Sequence, residues 1–232
     1  MRRPISRLQR AVIDNLERSD STVVRATMAL TVDASRLVGF RERLVERASA
    51  EDKVRPTYSD VLLAVLGRTL VAHPVIRTTI DEDDWVEHKQ IDISLAVAAD
   101  DGMLYVPVVR DCDTCTVQEL SQQRSEIVAR ARSGRAKPAD SRGGCFTLTN
   151  VGGLLPLEVG TPVINKGQSA ILGVGQIADG VLAVDGAPVV RRILRVFLSI
   201  DHRVIDGASA SRFLADVKSG LEDPAAVLRG CS

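Results

Sequence analysis

Apolar residues recur every three to four positions in several stretches of the chain, a spacing that predicts helices with one buried face. The stretch that ends at Val71 is almost continuously apolar, so this helix should be buried on most of its sides. The predicted helices cover residues 5–18, 34–49, about 58–71, 117–132 and 207–220.

Shorter stretches rich in β-branched residues separate these helices and predict strands. They cover residues 22–32, 91–99, 104–109, 145–150, 169–176, 181–184 and 189–200. Asp101-Gly102 and Asp185-Gly186 each stand between two such stretches, which indicates hairpins. Hairpins in place of repeated strand–helix–strand units predict a mixed α/β chain of the α+β type. No internal repeat, low-complexity tract or linker interrupts it, so residues 1–232 are taken as a single domain.

The bulk composition narrows the classes of function. Apolar residues make up 45% of 232, enough for a substantial core. Thirty basic residues balance thirty acidic ones and aromatic residues are only 3%, which argues against a nucleic-acid or membrane-surface partner. No apolar run reaches the roughly 18–20 residues of a membrane span, and no apolar stretch follows Arg2-Arg3 as in a secretory signal. Four cysteines do not form a disulfide scaffold. We therefore expect a cytoplasmic protein with free thiols.

One of three histidines, His202, stands where a predicted strand meets the last long helix. Histidine is the side chain best suited to take and return a proton near neutral pH, and a strand end gives it access to a substrate. Asp206 is placed to cap the helix, and Gly207 lets the chain turn. Taken alone, the pattern is weak and favours a helix cap next to a structural histidine.

The surroundings of His202 favour chemistry. His202-Arg203-Val204-Ile205-Asp206-Gly207 closely resembles the signature of the acyltransferases of 2-oxo acid dehydrogenase complexes and, less closely, that of chloramphenicol acetyltransferases. Six further stretches resemble that family in the same order along the chain: Pro4–Leu8, Val106–Asp111, Phe146–Gly152, Thr161–Asn165, Ala170–Gly175 and Leu221–Pro224. The resemblance implies the chloramphenicol acetyltransferase-like fold, a mixed central sheet flanked by helices.

The resemblance also implies a mechanism. His202 is the general base that deprotonates a hydroxyl or thiol acceptor, which then attacks a thioester carbonyl directly. Thr149 occupies the position of the hydroxyl that stabilises the oxyanion, and Asp206 orients the histidine loop. In such relatives the site lies between two subunits of a homotrimer. Without the resemblance, Thr149 would be an ordinary strand threonine.

The family's lipoyl and subunit-binding domains have no counterpart in this sequence. On that ground we expect a stand-alone enzyme that transfers an acetyl or short acyl group from acyl-CoA to a hydroxyl of a small-molecule acceptor, with a tetronate-type specialised metabolite as one candidate. Acetyl-CoA would be a cosubstrate, and no cofactor would be bound permanently. The alternative is the catalytic core of a dihydrolipoamide acyltransferase. A catalytically silent scaffold is a third hypothesis, against which the intact His202 and Thr149 argue.

Two other patterns receive structural interpretations. Cys112 and Cys115 form a C-x-x-C pair between a strand and a helix, the setting of a redox pair or half of a zinc site. Cys145 and Cys231 do not supply a second pair, so no metal site is expected. The acidic run Asp81–Asp84 lacks the spacing of a calcium loop and predicts a solvated turn.

Overall fold

The computed structural model describes residues 4–5, 7–99, 104–153 and 156–229. Its helices are α1 Arg7–Thr22, α2 Ser35–Ala50, α3 Tyr58–Ala72, α4 Val117–Arg132, α5 Gly207–Glu222 and α6 Pro224–Val227. Its strands are β1 Arg25–Asp33, β2 Thr78–Asp81, β3 Asp84–Glu87, β4 Ile93–Leu95, β5 Val97–Ala98, β6 Leu104–Tyr105, β7 Val108–Val109, β8 Phe146–Asn150, β9 Ala170–Val184 and β10 Ala187–Asp201. Two short 3-10 helices span Pro74–Arg77 and Pro138–Ser141.

Six of these strands form one sheet in the order β1-β10-β9-β8-β4-β7. Strand β8 runs parallel to both β9 and β4, whereas the other neighbouring pairs are antiparallel. Strands β2 and β3 form a separate ribbon, as do β5 and β6. The predicted class, a mixed central sheet flanked by helices, is therefore confirmed.

The helices cover one face of the sheet. Alternate side chains of β10, at Leu194, Val196, Leu198 and Ile200, are buried in the same apolar cluster as α3 and the inner sides of α2 and α5. Between them Phe197 and Ser199 point to the opposite face, because successive strand residues alternate in direction. This second face carries Thr149. It is called the open face because it lies opposite the helices, although Phe197 and Ser199 on it are buried.

The hairpin of β9 and β10 is longer than predicted. The sequence pattern divides residues 169–184 into two strands, but β9 runs unbroken from Ala170 to Val184. Between the two predicted strands, the sequence lacks the alternation of apolar and polar residues that predicts a strand. This part of the hairpin is partly exposed and therefore needs no apolar face. The turn itself is confirmed, since Asp185 and Gly186 take φ values of +49° and +81°, as a tight hairpin requires.

Other predicted strands are divided in the structure. Residues 91–99 contain the two short strands β4 and β5, and residues 104–109 contain β6 and β7. The predicted turn at 100–103 lies outside the described residues. The acidic run Asp81–Asp84 forms the turn of the β2–β3 hairpin, with Glu82 at φ +53°. All four residues of β3 are exposed, so no apolar alternation predicts this strand.

Candidate active site

His202 follows directly after β10 and is exposed. Its backbone N–H donates to the Val24 carbonyl at 2.7 Å, which ties the residue to the chain entering β1. The carbonyl of Asp201 accepts the N–H groups of Val204 at 3.0 Å and of Ile205 at 2.9 Å, closing a tight turn around the histidine. An exposed imidazole on a fixed turn suits proton transfer to an incoming substrate.

Asp206 caps helix α5. Its Oδ1 accepts the Ser209 N–H at 2.6 Å, and this hydrogen bond holds the pKa of the Asp206 carboxyl below its usual value. Within the described part of the chain, no hydrogen bond joins Asp206 to His202. The orienting role expected for Asp206 therefore stays a prediction.

Asp201 is the residue of this loop that the sequence analysis missed. Its side chain is only 4% exposed, and its Oδ2 lies 2.7 Å from Nη2 of Arg203. An aspartate directly before a candidate catalytic histidine was a signal, but nothing in the one-dimensional pattern shows that its carboxylate is buried.

Thr149 lies near the end of β8 and is half-buried on the open face of the sheet. It pairs with Gly173 of β9, which lacks a side chain. Its neighbour Asn150 points to the helical side, where Nδ2 donates to Ser59 Oγ at 3.3 Å. A cavity of about 330 Å³ begins beside Asn150, Gly152 and the adjoining part of β9. This cavity lies on the helical side of the sheet, with Tyr58 and Leu62 in its wall, and Thr149 on the opposite face does not line it.

Within one chain, Thr149 and His202 do not meet. Thr149 pairs with Gly173, and Gly173 pairs with Phe197 of β10, so the two candidate residues lie two strands apart. His202 is five residues beyond Phe197 along β10. At about 3.3 Å per residue and about 4.8 Å per strand, their Cα atoms are roughly 19 Å apart. A hydroxyl and an imidazole that act on one carbonyl therefore have to come from different copies of the chain.

A buried polar network lies on the same open face as Thr149. Thr147, two residues earlier on β8, donates its hydroxyl to Gln168 and accepts the Asn165 amide at 2.8 Å. Gln168 Nε2 in turn donates to Ser94 Oγ at 3.1 Å and to the Gly144 carbonyl at 2.8 Å. These groups form part of the wall of a second cavity, of about 520 Å³. The network gives the strand that carries Thr149 a rigid polar support.

The cysteines in the described part of the chain, Cys112, Cys115 and Cys145, are free thiols with raised pKa values. Burial raises the pKa of the Cys145 thiol to about 11 and raises the pKa of Cys112 further. Burial likewise raises the pKa of Cys115. In the described residues, no group of three or more histidine, cysteine, aspartate or glutamate side chains is placed to hold a metal ion. Cys231 lies outside the described residues.

The family model described as the catalytic domain of 2-oxoacid dehydrogenases acyltransferase matches residues 1–229. The dihydrolipoyllysine-residue succinyltransferase component of the Haemophilus influenzae 2-oxoglutarate dehydrogenase complex is 34% identical over 97% of this chain and 54% of its own length. The acetyltransferase component of the Bacillus subtilis pyruvate dehydrogenase complex is 33% identical over 98% and 51%. The chain spans about half the length of these curated relatives.

Solved structures show the same likeness. The dihydrolipoamide acetyltransferase of Azotobacter vinelandii, studied for the catalytic roles of a serine, a histidine and an asparagine, superposes with a TM-score of 0.92 at 30% identity, covering 98% of this chain and 93% of that chain. The cubic core of the pyruvate dehydrogenase multienzyme complex gives 0.92 at 31% identity, with the same coverage. A chloramphenicol acetyltransferase, at 18% identity and a TM-score of 0.53 over 90% of this chain and 94% of that chain, shares the fold. None of the helices in the described ranges is long and apolar enough to cross a membrane.

These findings correct the expected function. The prediction of a stand-alone acyltransferase that acts on a small-molecule hydroxyl, with a tetronate-type acceptor, is wrong. The relatives that match nearly all of this chain are dihydrolipoyllysine acyltransferases. The stated alternative, the catalytic core of a dihydrolipoamide acyltransferase, agrees with them. The error has a physical reason. A histidine can act as general base toward either a thiol or a hydroxyl, so the presence of His202 does not reveal which acceptor is used. The predicted family and fold are confirmed, and the matched family is one of acyltransferases.

Proposed function

Because the chain belongs to the acyltransferase family of the 2-oxoacid dehydrogenases and matches its catalytic domain, we propose that it transfers an acyl group between coenzyme A and a dihydrolipoyl thiol. Residues 1–232 would form one catalytic domain. The relatives include succinyl- and acetyltransferases, so both acyl groups are candidate substrates. The proposed cytoplasmic location stays a prediction from the sequence.

The proposed reaction is a direct transfer. The His202 imidazole takes the proton from the dihydrolipoyl S–H, and the thiolate sulfur forms a bond to the carbonyl carbon of the acyl-CoA thioester. The carbonyl oxygen becomes an oxyanion that accepts a hydrogen bond from the Thr149 hydroxyl. The oxyanion then re-forms the carbonyl, the bond to the coenzyme A sulfur breaks, and the imidazolium returns its proton to that sulfur. Run backwards, the same steps acylate coenzyme A.

One observation carries the proposal of a shared site: the Cα atoms of Thr149 and His202 lie roughly 19 Å apart in one chain, two strands apart across the sheet and about five residues apart along it. We propose a homotrimer in which His202 of one subunit faces Thr149 of the next, and each subunit contributes to two sites. The structural relative that forms the cubic core of a multienzyme complex supports self-association. On the same ground, the other subunits of such a complex are the proposed partners.

The Azotobacter vinelandii enzyme supports the choice of residues. Its asparagine lies four residues after its histidine, as Asp206 lies four residues after His202. Its serine precedes that histidine by roughly fifty residues, as Thr149 precedes His202. Threonine keeps the hydroxyl that an oxyanion needs, so the substitution preserves the proposed chemistry.

The test is an acyl-transfer assay with purified protein. Acetyl-CoA and succinyl-CoA are each offered with dihydrolipoamide, and the thioester product is identified by mass spectrometry. Transfer should occur with at least one donor, and lipoamide, which has no free thiol, should accept nothing. Folded protein that transfers neither acyl group to dihydrolipoamide would contradict the proposal.

A further inference from the structure

The turn that carries His202 is built around a buried carboxylate. Asp201 is only 3% exposed as a residue, yet it keeps an ionisable side chain. Its Oδ1 accepts the backbone N–H of Arg203 at 3.1 Å and Nε of the same residue at 3.0 Å. Its Oδ2 accepts Nη2 of Arg203 at 2.7 Å. A buried carboxylate is costly unless it is fully paired, and here its partner is the residue on the other side of the histidine in the sequence.

The two peptide groups beside His202 are held by different contacts. The peptide joining Asp201 to His202 is bound through backbone atoms, by the His202 N–H to Val24 and by the Asp201 carbonyl to Val204 and Ile205. The peptide joining His202 to Arg203 has one hydrogen bond within the described residues, which the Arg203 N–H donates to Asp201 Oδ1 at 3.1 Å. The carboxylate therefore limits the ψ angle of His202. This angle fixes the position of the neighbouring backbone, and with it the positions that the imidazole ring can occupy.

We propose that Asp201, with Arg203, is a positioning residue that keeps the His202 imidazole aimed at the reacting thiol. This inference rests on the proposed function and assigns a role that the base itself cannot fulfil, because His202 is exposed and its side chain has no hydrogen bond to another described residue. A misplacement of a reacting group by about 1 Å can lower the rate by about 100-fold.

The chain offers a matched control. Asp92 is also a buried aspartate, with its side chain 5% exposed against 4% for Asp201. It also binds an arginine at 2.7 Å, Arg110, whose side chain is 41% exposed like that of Arg203. It also accepts a backbone N–H, from Asp111 at 2.9 Å. Asp92 therefore reproduces the energetic setting of Asp201 away from His202.

The experiment compares Asp201→Ala, Asp201→Asn and Asp92→Ala by kcat, KM and melting temperature in the transfer assay. Asp201→Ala should lower kcat at least tenfold with KM within about twofold of wild type, because binding is intact and aim is lost. Asp201→Asn should recover part of that kcat, since its amide oxygen still accepts the Arg203 N–H. Asp92→Ala should change kcat less than twofold, even where its melting temperature falls as far.

A kcat within twofold of wild type in Asp201→Ala, or an equal loss in Asp92→Ala, would overturn the proposal. Should Asp201→Ala fail to fold, Asp201→Asn against Asp92→Asn decides by the same measures. Crystal structures of wild type and variant give a readout independent of the assay: the His202 ring should move by about 1 Å or more in the Asp201 variant, and an unmoved ring counts against the role. Wild-type protein inactive toward dihydrolipoamide would refute the proposed function alone, because the crystallographic comparison still tests Asp201.

Discussion

His202 follows the end of β10 and Thr149 lies near the end of β8, so the two residues are two strands apart in the sheet that they share and roughly 19 Å from each other. The parallel pairing of β8 with β9, followed by the antiparallel pairing of β9 with β10, places the two residues in this way. A single chain therefore holds the two candidate groups too far apart to act on one carbonyl. This arrangement links catalysis to self-association, and the first prediction follows from it.

Mixing two inactive variants should restore activity. His202→Ala chains keep Thr149, and Thr149→Ala chains keep His202, so a mixed oligomer contains some complete sites. In a trimer with each site built by two neighbours, equal mixing leaves about one site in four complete overall, and about one in three in the trimers that contain both variants. Co-expression with two affinity tags, followed by the transfer assay, measures this. Tandem-purified mixed oligomers as inactive as the separate variants would show that both groups act from one chain or that one of them does not act.

Replacing His202 by alanine should remove proton transfer without unfolding the protein. General-base catalysis contributes about 10²–10⁴-fold, so kcat should fall by that factor. The side chain is exposed, so the melting temperature should stay close to that of wild type. His73 is the matched control, because its ring binds Asp216 Oδ2 at 2.7 Å, away from the candidate base. A His202→Ala protein that keeps wild-type kcat would rule out the assigned base.

Replacing Thr149 by alanine should remove the oxyanion donor. Loss of one such donor costs about 10²–10³ in kcat. Thr149→Ser restores the hydroxyl and should recover most of the rate, whereas Thr149→Val keeps the shape and should not. Steady-state kinetics of the three variants separates a missing hydroxyl from disturbed packing. Equal activity of the serine and valine variants would show that the hydroxyl has no part in the reaction.

The buried thiols should resist alkylation. With the pKa of Cys145 raised to about 11, only about one molecule in a thousand carries the thiolate at pH 8. Cys112 has its pKa raised further and is fully buried. Native protein treated with iodoacetamide should label both far more slowly than urea-unfolded protein, as peptide mass spectrometry can show. Fast native labelling of Cys112 would reopen the redox interpretation of the C-x-x-C pair.

Gly173 should not tolerate a side chain. A Cβ atom there would lie 1.8 Å from the ring of the buried Phe197. Overpacking of this kind costs about 1–3 kcal/mol, so Gly173→Ala should lower the free energy of unfolding by that amount. Gly153→Ala is the control, because a Cβ at Gly153 would meet no atom within 4 Å among the described residues. Denaturant unfolding of both variants gives the comparison, and equal stability would show that the strands shift to accept the methyl group.

Much of the secondary structure was predictable because its signals are local. The helical spacing of α2 and α4 depends on neighbours three or four residues apart, and the turn at Asp185–Gly186 on residues that accept positive φ. The exposed β2–β3 hairpin was missed because a strand without a buried face leaves no alternation to detect. The candidate residues His202 and Thr149 were likewise found from motifs that are continuous in the chain.

The amino-acid sequence by itself indicated the candidate catalytic residues, where most helices begin and end, and to which family the chain belongs, because these depend on short stretches of neighbouring residues. Only the tertiary structure decided that Thr149 and His202 are separated within one chain and that Asp201 is buried beside Arg203. These features follow from strand order and register. Register depends on pairing between residues far apart along the chain, and a local pattern does not record it.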